Sequence, residues 1–395
     1  MKLNCFLLIL FCIPAPVLHA QTSAGYSFPK RIIENLQLDS NSWKEQTASW
    51  EFSFIGEYEE SLSLADSQFK AMKMPRGLWL DQQSKLAQYK PVEAKQYIIE
   101  RAANENIIII NEAHYQPLHR IFTTSLLRGL YEKGYRYLGL EALFGLDTAL
   151  NRRGYPVGST GYYTQEPQFG NLIREALQLG FIIFDYEYTD EEYDRELGQA
   201  KNIAAFMEKH PGKYLIHCGY GHVEEKEDQQ QRMAMAGHLK KITGTDPLTI
   251  NQDALTEHSA PFFEAADYRH IQAAWPAVLV NEKGETYNGI TGDHLYDIRL
   301  FHPQTSYLHD RPSWLFNLMP GRIAFHPPAK KLTIGYPVLV FAWPAGEDID
   351  TAVPVDIILM RNRKEQRALS LKAGQYTIQI QNEDGKKLQW QQLVQ

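Results

Sequence analysis

Four ionisable side chains directly follow a run of four isoleucines, Ile107–Ile110. They are Glu112, His114, His119 and Arg120. A carboxylate can orient an imidazole, an imidazole can take a proton from water, and a guanidinium can bind an anion. Consecutive β-branched residues are typical of a strand that is buried on both faces. The pattern therefore predicts a buried strand that delivers reactive groups to its carboxyl end.

Three later strands are also predicted to end in polar residues. These strands and the groups that follow them are Tyr137–Leu140 with Glu141, Phe181–Phe184 with Asp185 and Glu187, and Tyr214–His217 with Cys218 and His222. The carboxyl ends of parallel strands meet at one edge of a sheet. These groups are therefore expected to surround one crevice together with Glu112 and His114. Two histidines and several carboxylates in one crevice would suit hydrolysis by an activated water molecule.

Helices are predicted between these strands. Their ranges are Leu118–Lys133, Asn171–Leu179, Asp190–His210 and Gln230–Thr243, and a further short strand is predicted at Leu248–Ile250. This alternation indicates βαβ crossovers, and hence an α/β fold with a mainly parallel sheet flanked by helices.

The long helix carries two candidate site residues, Arg195 and Asn202. They are seven residues apart and so share one face of the helix. Arg195 is predicted either to bind a substrate anion or to hold Glu141 or Glu187 in place. An exposed surface arginine is the alternative.

The ends of the chain have other compositions. Residues 1–20 are predicted to be a secretory signal peptide, because Lys2 precedes a short apolar run and Ala20 ends the segment. Residues 21 to about 100 are predicted to be helical, with one helix beginning at Pro91. Short strands at 333–343, 355–360 and 375–381 predict a small β-sandwich. The expected division is therefore a signal peptide, an α/β domain over 21–327 and an all-β domain over 328–395.

Composition excludes several classes of function. The formal net charge is -7 and the 40 lysines and arginines are scattered, so no nucleic-acid-binding surface is predicted. After residue 21 no segment has the length and apolarity of a transmembrane helix. Cys218 is the one cysteine outside the predicted signal peptide, so no intramolecular disulfide is expected, and it is predicted to be a small buried side chain. The protein is expected to be exported to the periplasm or beyond the cell.

These motifs resemble the erythromycin esterase/ChaN-like superfamily, which includes the TraB and TIKI proteins. The matching features are Glu112-Ala113-His114 after an apolar strand, Glu141 after the next, the helix from Arg195 to Asn202, and Gly219-Tyr220-Gly221-His222. The resemblance spans residues 95 to 305. Asn111 is a departure, because the family usually has glycine before Glu-x-His. Asparagine tolerates left-handed conformations, so the turn can survive.

The resemblance implies an exported hydrolase that acts on an ester, lactone or amide of a small molecule or peptide. His114 would be the general base, Glu112 or Glu141 would orient it, and His222 would bind substrate or stabilise the oxyanion. The predicted catalytic residues are Glu112, His114, Glu141 and His222, and the predicted substrate-binding residues are His119, Glu187, Arg195 and Asn202.

Three alternatives remain open at the level of sequence. A divalent metal could be held by His114, His222 and a carboxylate such as Glu141, which are suitable ligand types. The chain could instead bind haem without catalysis, as ChaN does, with axial ligands drawn from the histidines and from Tyr115, Tyr162, Tyr163 and Tyr186. A catalytically inactive interaction protein is the third.

Overall fold

The computed structural model describes residues 25–68, 85–145, 147–227, 231–289 and 294–395. The predicted signal peptide lies outside these ranges. Within them, no helix combines the length and the apolarity that crossing a membrane requires.

Three helices open the described chain, and strands then alternate with helices. The elements are α1 (Pro29–Leu38), α2 (Lys44–Phe54), α3 (Tyr58–Gln68), β1 (Tyr89–Glu93), α4 (Ala94–Arg101), β2 (Ile107–Glu112), α5 (Pro117–Glu132), β3 (Tyr135–Leu140), α6 (Leu150–Arg153), α7 (Pro167–Leu179), β4 (Ile182–Asp185), α8 (Arg195–Lys209), β5 (Lys213–Gly219), α9 (Met235–Thr243), β6 (Leu248–Leu255), β7 (Ala277–Asn281) and β8 (Ile298–Phe301).

Short strands dominate the remainder. They are β9 (Tyr307–Leu308), β10 (Arg311–Pro312), β11 (Arg322–Phe325), β12 (Val338–Pro344), β13 (Asp356–Met360), β14 (Leu369–Lys372), β15 (Gly374–Asn382) and β16 (Lys387–Val394), with α10 (Trp314–Asn317) among them.

An eight-stranded sheet forms the centre of the molecule, in the order β1-β7-β8-β6-β2-β5-β3-β4. The six strands from β8 to β4 pair in parallel, and β7 and β1 complete one edge antiparallel. Helices cover the sheet, so the predicted α/β class with a mainly parallel sheet is confirmed.

The isoleucine strand β2 lies between β6 and β5, and all six of its residues are buried. Ile108 and Ile110 face the apolar cluster formed with α5 and α7, whereas Ile107 and Ile109 face the cluster formed with α8 and α9. Successive side chains of a strand point to opposite faces, so a strand covered on both faces needs apolar residues at every position. The carboxyl end of β2 is therefore held rigidly by packing on both sides.

Several predicted boundaries are wrong, and local capping explains most of them. The helix predicted to begin at Pro91 begins at Ala94, because Tyr89–Glu93 pairs with β7 and the Glu93 carboxylate caps the helix. The helix predicted from Asp190 begins at Arg195, where Asp194 accepts a hydrogen bond from the Glu196 amide. The helix predicted from Asn171 begins at Pro167, with Glu166 as its cap. Carboxylates at these positions satisfy free backbone N–H groups of the first turn.

The C-terminal strands form two antiparallel sheets. The four-stranded sheet β13-β12-β15-β16 is covered on one face by the two-stranded sheet β11-β14, through apolar side chains such as Val340, Ile358 and Leu371. The predicted small C-terminal β unit is thus present, and its first strand, β11, begins at Arg322, before the expected boundary at residue 328.

The other face of the four-stranded sheet packs against the N-terminal helices. Phe52 and Ile55, at the end of α2, share an apolar cluster with Leu339, Phe341 and Ile357. The first and last parts of the described chain are therefore in direct contact.

Candidate functional site

Glu112 and His114 form a hydrogen-bonded pair at the carboxyl end of β2. His114 Nδ1 lies 2.9 Å from Glu112 Oε1, and both side chains are nearly buried. Since an ionised carboxylate can only accept, Nδ1 carries the proton and donates it to Glu112, which leaves the lone pair on Nε2. This is the arrangement that a histidine acting as a general base needs.

Arg120, from the first turn of α5, fixes the Glu112 carboxylate. Its Nε donates to Glu112 Oε2 at 2.5 Å and its Nη2 donates to Oε1 at 2.7 Å, while Nη2 also donates to the His114 carbonyl at 2.9 Å. Its Nη1 donates to Glu166 Oε2 at 3.1 Å. Burial alone would raise the pKa of Glu112, but the charge of Arg120 and the hydrogen bonds from Arg120 and His114 outweigh it and lower that pKa.

Aromatic rings surround the His114 imidazole. Tyr163 stacks on it with 3.9 Å between ring centroids, and Tyr220 and Trp50 meet it edge-on at 4.9 Å and 6.1 Å. The Nε1 atom of Trp50 is buried and has no hydrogen-bond partner among the described residues. The ring of His114 is thus confined, and one of the side chains that confine it, Trp50, has an unpaired N–H donor.

Gly219, the last residue of β5, joins His114 to Glu141. Its N–H donates to Glu141 Oε2 at 2.6 Å. A Cβ at this position would lie 2.5 Å from His114 Cε1, 2.7 Å from Nε2 and 3.4 Å from Glu141 Oε2. The free edge of the imidazole and the Glu141 carboxylate therefore meet at one backbone position where only a hydrogen atom fits.

Glu141, Arg195 and His222 form a second polar group beside the first. Arg195 Nη2 donates to Glu141 Oε1 at 2.7 Å, and His222 Nε2 lies 3.2 Å from the same oxygen. His222 Nδ1 contacts Glu196 at 2.7 Å. Burial would lower the pKa of His222, but the carboxylates of Glu141 and Glu196 outweigh it and raise that pKa well above its usual value. The pKa of Glu141 is in turn lowered despite burial, because the positive charges of His222 and Arg195 and the hydrogen bond from His222 favour the ionised carboxylate.

Arg195 holds the acidic residues in place, as one of its predicted roles required. Besides Glu141, it donates to Glu187 through Nε at 2.9 Å and through Nη2 at 2.5 Å. Asn202 Nδ2 donates to the Glu187 carbonyl at 2.9 Å, and Gln199 donates to its carboxylate at 3.0 Å. The predicted substrate-binding residues Glu187, Arg195 and Asn202 therefore support Glu141 and His222.

His119 lies behind the motif, and the structure does not bring it to the crevice as a substrate-binding residue. It is completely buried, and its Nδ1 accepts a hydrogen bond from the Ala113 amide at 3.0 Å. Its Nε2 is 3.4 Å from Thr256 Oγ1. A residue without solvent access cannot contact a substrate, so His119 positions the backbone between Glu112 and His114.

Asn111 keeps an extended conformation within β2 and uses its amide to fix the next loop. Its Nδ2 donates to the Tyr220 carbonyl at 2.7 Å, and its Oδ1 accepts from the Gln252 amide at 2.6 Å. Tyr220 has a left-handed backbone conformation, at φ 38°, and its hydroxyl accepts a hydrogen bond from Gln46 of α2. A non-glycine residue in that region is strained, so Asn111 stabilises the turn that carries the Tyr220 ring to His114.

Acid is expected to destabilise the fold because three buried histidines stay neutral in it. Burial lowers the pKa of His217 to about 4, that of His302 to about 3, and that of His119 as well. Above pH 6.5 these histidines are neutral in both the folded and the unfolded protein. As the pH falls below 6.5, the unfolded chain binds protons that the folded protein does not, so the free energy of unfolding decreases. Each such group should remove about 1.4 kcal/mol of unfolding free energy per pH unit between 6.5 and its own folded pKa. Urea unfolding at pH 7, 6 and 5 measures this slope.

The matched comparison is His302→Gln. Burial raises the pKa of Asp185 to about 6, which opposes the histidines, so the difference between wild type and variant is the informative quantity. The variant should show a slope shallower by about 1.4 kcal/mol per pH unit. Equal slopes for the two proteins would contradict a neutral, buried His302.

The three predicted metal candidates do not fit a resident metal. Among the residues that the structure describes, no three His, Cys, Asp or Glu side chains are arranged to hold a metal ion. Glu141 already accepts from Gly219 and Arg195, and both ring nitrogens of His222 face carboxylates. The donor atoms of Glu141 and His222 are thus engaged with protein partners, which leaves His114 Nε2 as a lone candidate ligand.

Among the tyrosines predicted as haem ligands, one has its hydroxyl engaged and the other three pack against neighbouring side chains. The Tyr186 hydroxyl is buried and donates to the His217 carbonyl at 2.9 Å. Tyr162 and Tyr163 pack edge-on against Trp50, and Tyr115 is buried. The geometry offers no specific support for axial ligation.

Several site residues were not predicted from the sequence. These are Trp50, Glu166 and Glu196, together with the supporting roles of Arg120, Gly219 and Tyr220 and the stacking of Tyr163, which the sequence offered only as a possible haem ligand. The proximity of Arg120 to Glu112 was a usable signal, since i to i+8 across a strand-to-helix turn can bring two side chains together. Trp50 carries no such signal, because it reaches the site from a distant helix.

Comparisons with known proteins identify no family. No family model and no curated protein matches the chain. The type III effector HopBA1 is similar at TM-score 0.31 and 11% identity, over 42% of this chain and 86% of that one. RRSP, a MARTX toxin effector domain from Vibrio vulnificus CMCP6, is similar at TM-score 0.31 and 13% identity, over 69% of this chain and 47% of that one. Likenesses this distant carry no functional argument.

Proposed function

We propose that the protein is a hydrolase in which His114 activates water for attack on an ester, lactone or amide carbonyl. The observation that carries this proposal is the Glu112–His114 pair at the carboxyl edge of the sheet. Nδ1 is committed to Glu112, and no hydrogen-bond partner of Nε2 is found in the described part of the chain. The sequence resemblance to erythromycin esterases supports the same reaction class.

Each group has a defined part in this reaction. His114 Nε2 takes a proton from water, and Glu112 stabilises the imidazolium that forms. Arg120 keeps Glu112 ionised and oriented. Glu141 lies beside the free edge of His114 at Gly219, and Arg195 and His222 hold its carboxylate there.

Replacing His114 with alanine should lower kcat/KM by about 100-fold or more, the usual contribution of a general base. The test uses a panel of nitrophenyl esters, alkyl esters, lactones and peptides, with melting temperature as a check on folding. His326→Ala is the control, because His326 is exposed and lies in the loop after β11, outside the group of residues around His114. A folded His114→Ala protein with wild-type turnover would refute the proposal.

A further inference from the structure

We propose that the substrate hydrolysed at His114 is an ester or amide of an α-amino acid with a free amino group, and that the Glu141 carboxylate binds this amino group as an ammonium ion. This inference rests on the proposed function and names the substrate class of the same site. It assigns to Glu141 the contact that selects the substrate.

Glu141 and the reactive nitrogen of His114 lie against the same point of the backbone. A Cβ on Gly219 would be 2.7 Å from His114 Nε2 and 3.4 Å from Glu141 Oε2, so these two atoms can be no farther apart than the two distances together. The carbonyl carbon of an amino acid and its amino nitrogen are about 2.5 Å apart. One small molecule can therefore place its carbonyl at the water activated by Nε2 and its amino group at Oε2.

The two oxygens of the Glu141 carboxylate have different partners. The cationic side chains of Arg195 and His222 both contact Oε1, at 2.7 Å and 3.2 Å. For Oε2 the described part of the chain provides one donor, the neutral N–H of Gly219 at 2.6 Å. A carboxylate oxygen has two lone pairs, so Oε2 can accept a further hydrogen bond. The oxygen that lies near His114 is thus the one without a cationic partner.

The charge balance around Glu141 favours a cation. Three carboxylates, those of Glu141, Glu187 and Glu196, are in contact with two cations, Arg195 and the protonated His222. This group therefore carries one uncompensated negative charge. The group is largely buried, and electrostatic attraction is stronger there than in water. An ammonium ion at Oε2 would balance the charge, whereas a substrate carboxylate at the same place would be repelled.

Two of the aromatic rings in contact with His114 also suit an ammonium group. The ring centroids of Tyr163 and Tyr220 lie 3.9 Å and 4.9 Å from that of the imidazole, and both tyrosines are half-buried. The faces of aromatic rings attract cations. The surroundings of the reactive nitrogen therefore favour a positively charged group over a negatively charged one.

The ammonium group keeps its protons throughout the proposed reaction. His114 takes a proton from water as the water oxygen bonds to the carbonyl carbon. When the tetrahedral intermediate collapses, the bond from carbon to the leaving oxygen breaks, and that oxygen receives the proton that His114 took. The net reaction consumes one amino acid ester and one water and yields one amino acid and one alcohol.

The test compares three ethyl esters of similar size at pH 7. At the same position, ethyl alaninate carries an ammonium group, ethyl lactate a hydroxyl and ethyl isobutyrate a methyl group. Each kcat/KM is divided by the rate constant for hydrolysis of the same ester by hydroxide, because the ammonium group itself activates the carbonyl. The normalised value for ethyl alaninate should exceed that for ethyl isobutyrate by about 10- to 100-fold, the usual effect of a hydrogen bond to a charged group. Ethyl lactate should lie closer to ethyl isobutyrate.

Glu141→Gln is the variant that tests the contact, because it keeps the size of the side chain and removes its charge. The normalised ratio of ethyl alaninate to ethyl isobutyrate should fall to about 3 or less, whatever loss the two esters share. Glu282→Gln is the control, since Glu282 is an exposed residue in the turn after β7, and it should keep the wild-type ratio. Melting temperature checks that both variants fold.

A measurement on the wild type alone covers the case in which Glu141→Gln does not fold. Alaninol and 1,2-propanediol differ by an ammonium group in place of a hydroxyl. Alaninol should inhibit hydrolysis of ethyl isobutyrate competitively, with an inhibition constant about 10-fold or more below that of the diol. Equal inhibition by the two compounds would contradict the ammonium contact.

The outcomes separate this inference from the proposed function. A wild type that hydrolyses the neutral esters without a normalised preference for ethyl alaninate overturns the inference and leaves the proposed function standing. So does an undiminished preference in a folded Glu141→Gln protein. Wild-type turnover in His114→Ala, or a wild type that hydrolyses no ester or amide, overturns both.

Discussion

Gly219→Ala is expected to lower kcat/KM by about 100-fold or more while the protein stays folded. The added Cβ would come within 2.5 Å of His114 Cε1 and 2.7 Å of Nε2, so the imidazole must move. Tyr163, Trp50 and Tyr220 leave it little room to do so. A displacement of about 1 Å at a reacting group can cost about two orders of magnitude in rate. The backbone itself tolerates alanine, since Gly219 is extended at φ -88°.

Gly221→Ala is the matched control for this prediction. Gly221 lies two residues away in the same turn and its φ is not left-handed. The nearest atom to a Cβ there is Glu224 Oε1 at 3.7 Å, an ordinary contact. Its activity should stay within about 3-fold of wild type. Comparable activities for the two variants would mean that His114 is not confined against Gly219. Both are measured with the ester panel and by thermal unfolding.

Arg120→Met is expected to lower the free energy of unfolding by about 3–5 kcal/mol, the usual effect of removing one partner from a buried ionic group. Arg120 is completely buried and bridges Glu112 and Glu166. Its loss therefore leaves two buried carboxylates without a positively charged partner. Burial already raises the pKa of Glu166 even with Arg120 present. Urea unfolding at neutral pH measures the loss.

Two further variants test the cause of that loss. Arg128→Met changes an exposed arginine on the same helix and should alter stability by no more than about 0.5 kcal/mol. Adding Glu166→Gln to Arg120→Met should restore part of the lost unfolding free energy, because it removes one of the two buried, unpaired carboxylates. If Arg120→Met is as stable as Arg128→Met, Arg120 does not compensate two buried carboxylates.

The central sheet was predictable because its signals are local. Four consecutive isoleucines indicate a strand buried on both faces, and β2 is such a strand. The strand Tyr89–Glu93 was missed because Pro91 is atypical of strands. It is tolerated here because β1 is an edge strand, where one row of backbone groups has no partner strand. That position in the sheet depends on pairing with β7, almost 190 residues later.

The candidate site was predictable only where its residues follow strands. Glu112, His114, Glu141 and His222 come together as the parallel topology requires. The sequence leaves two alternatives for Arg195, since residue spacing fixes the helix face on which a side chain lies and not the contact that it makes. Glu166 and Trp50 reach His114 and its partners through tertiary packing of α7 and α2, for which no local pattern exists.

The contact between α2 and the C-terminal sheet has a consequence for the order in which the protein is made. One side of α2 supplies Trp50 and Gln46 to His114 and Tyr220, and Phe52 rests on Leu339 and Phe341. During synthesis from the N-terminus, roughly 290 residues must emerge after Phe52 before its partners exist. A nascent chain that stops before β12 would already contain Glu112, His114, Glu141 and His222. It would still lack the surface on which α2 rests, so α2 can be held beside His114 by that surface only after β12 has been made.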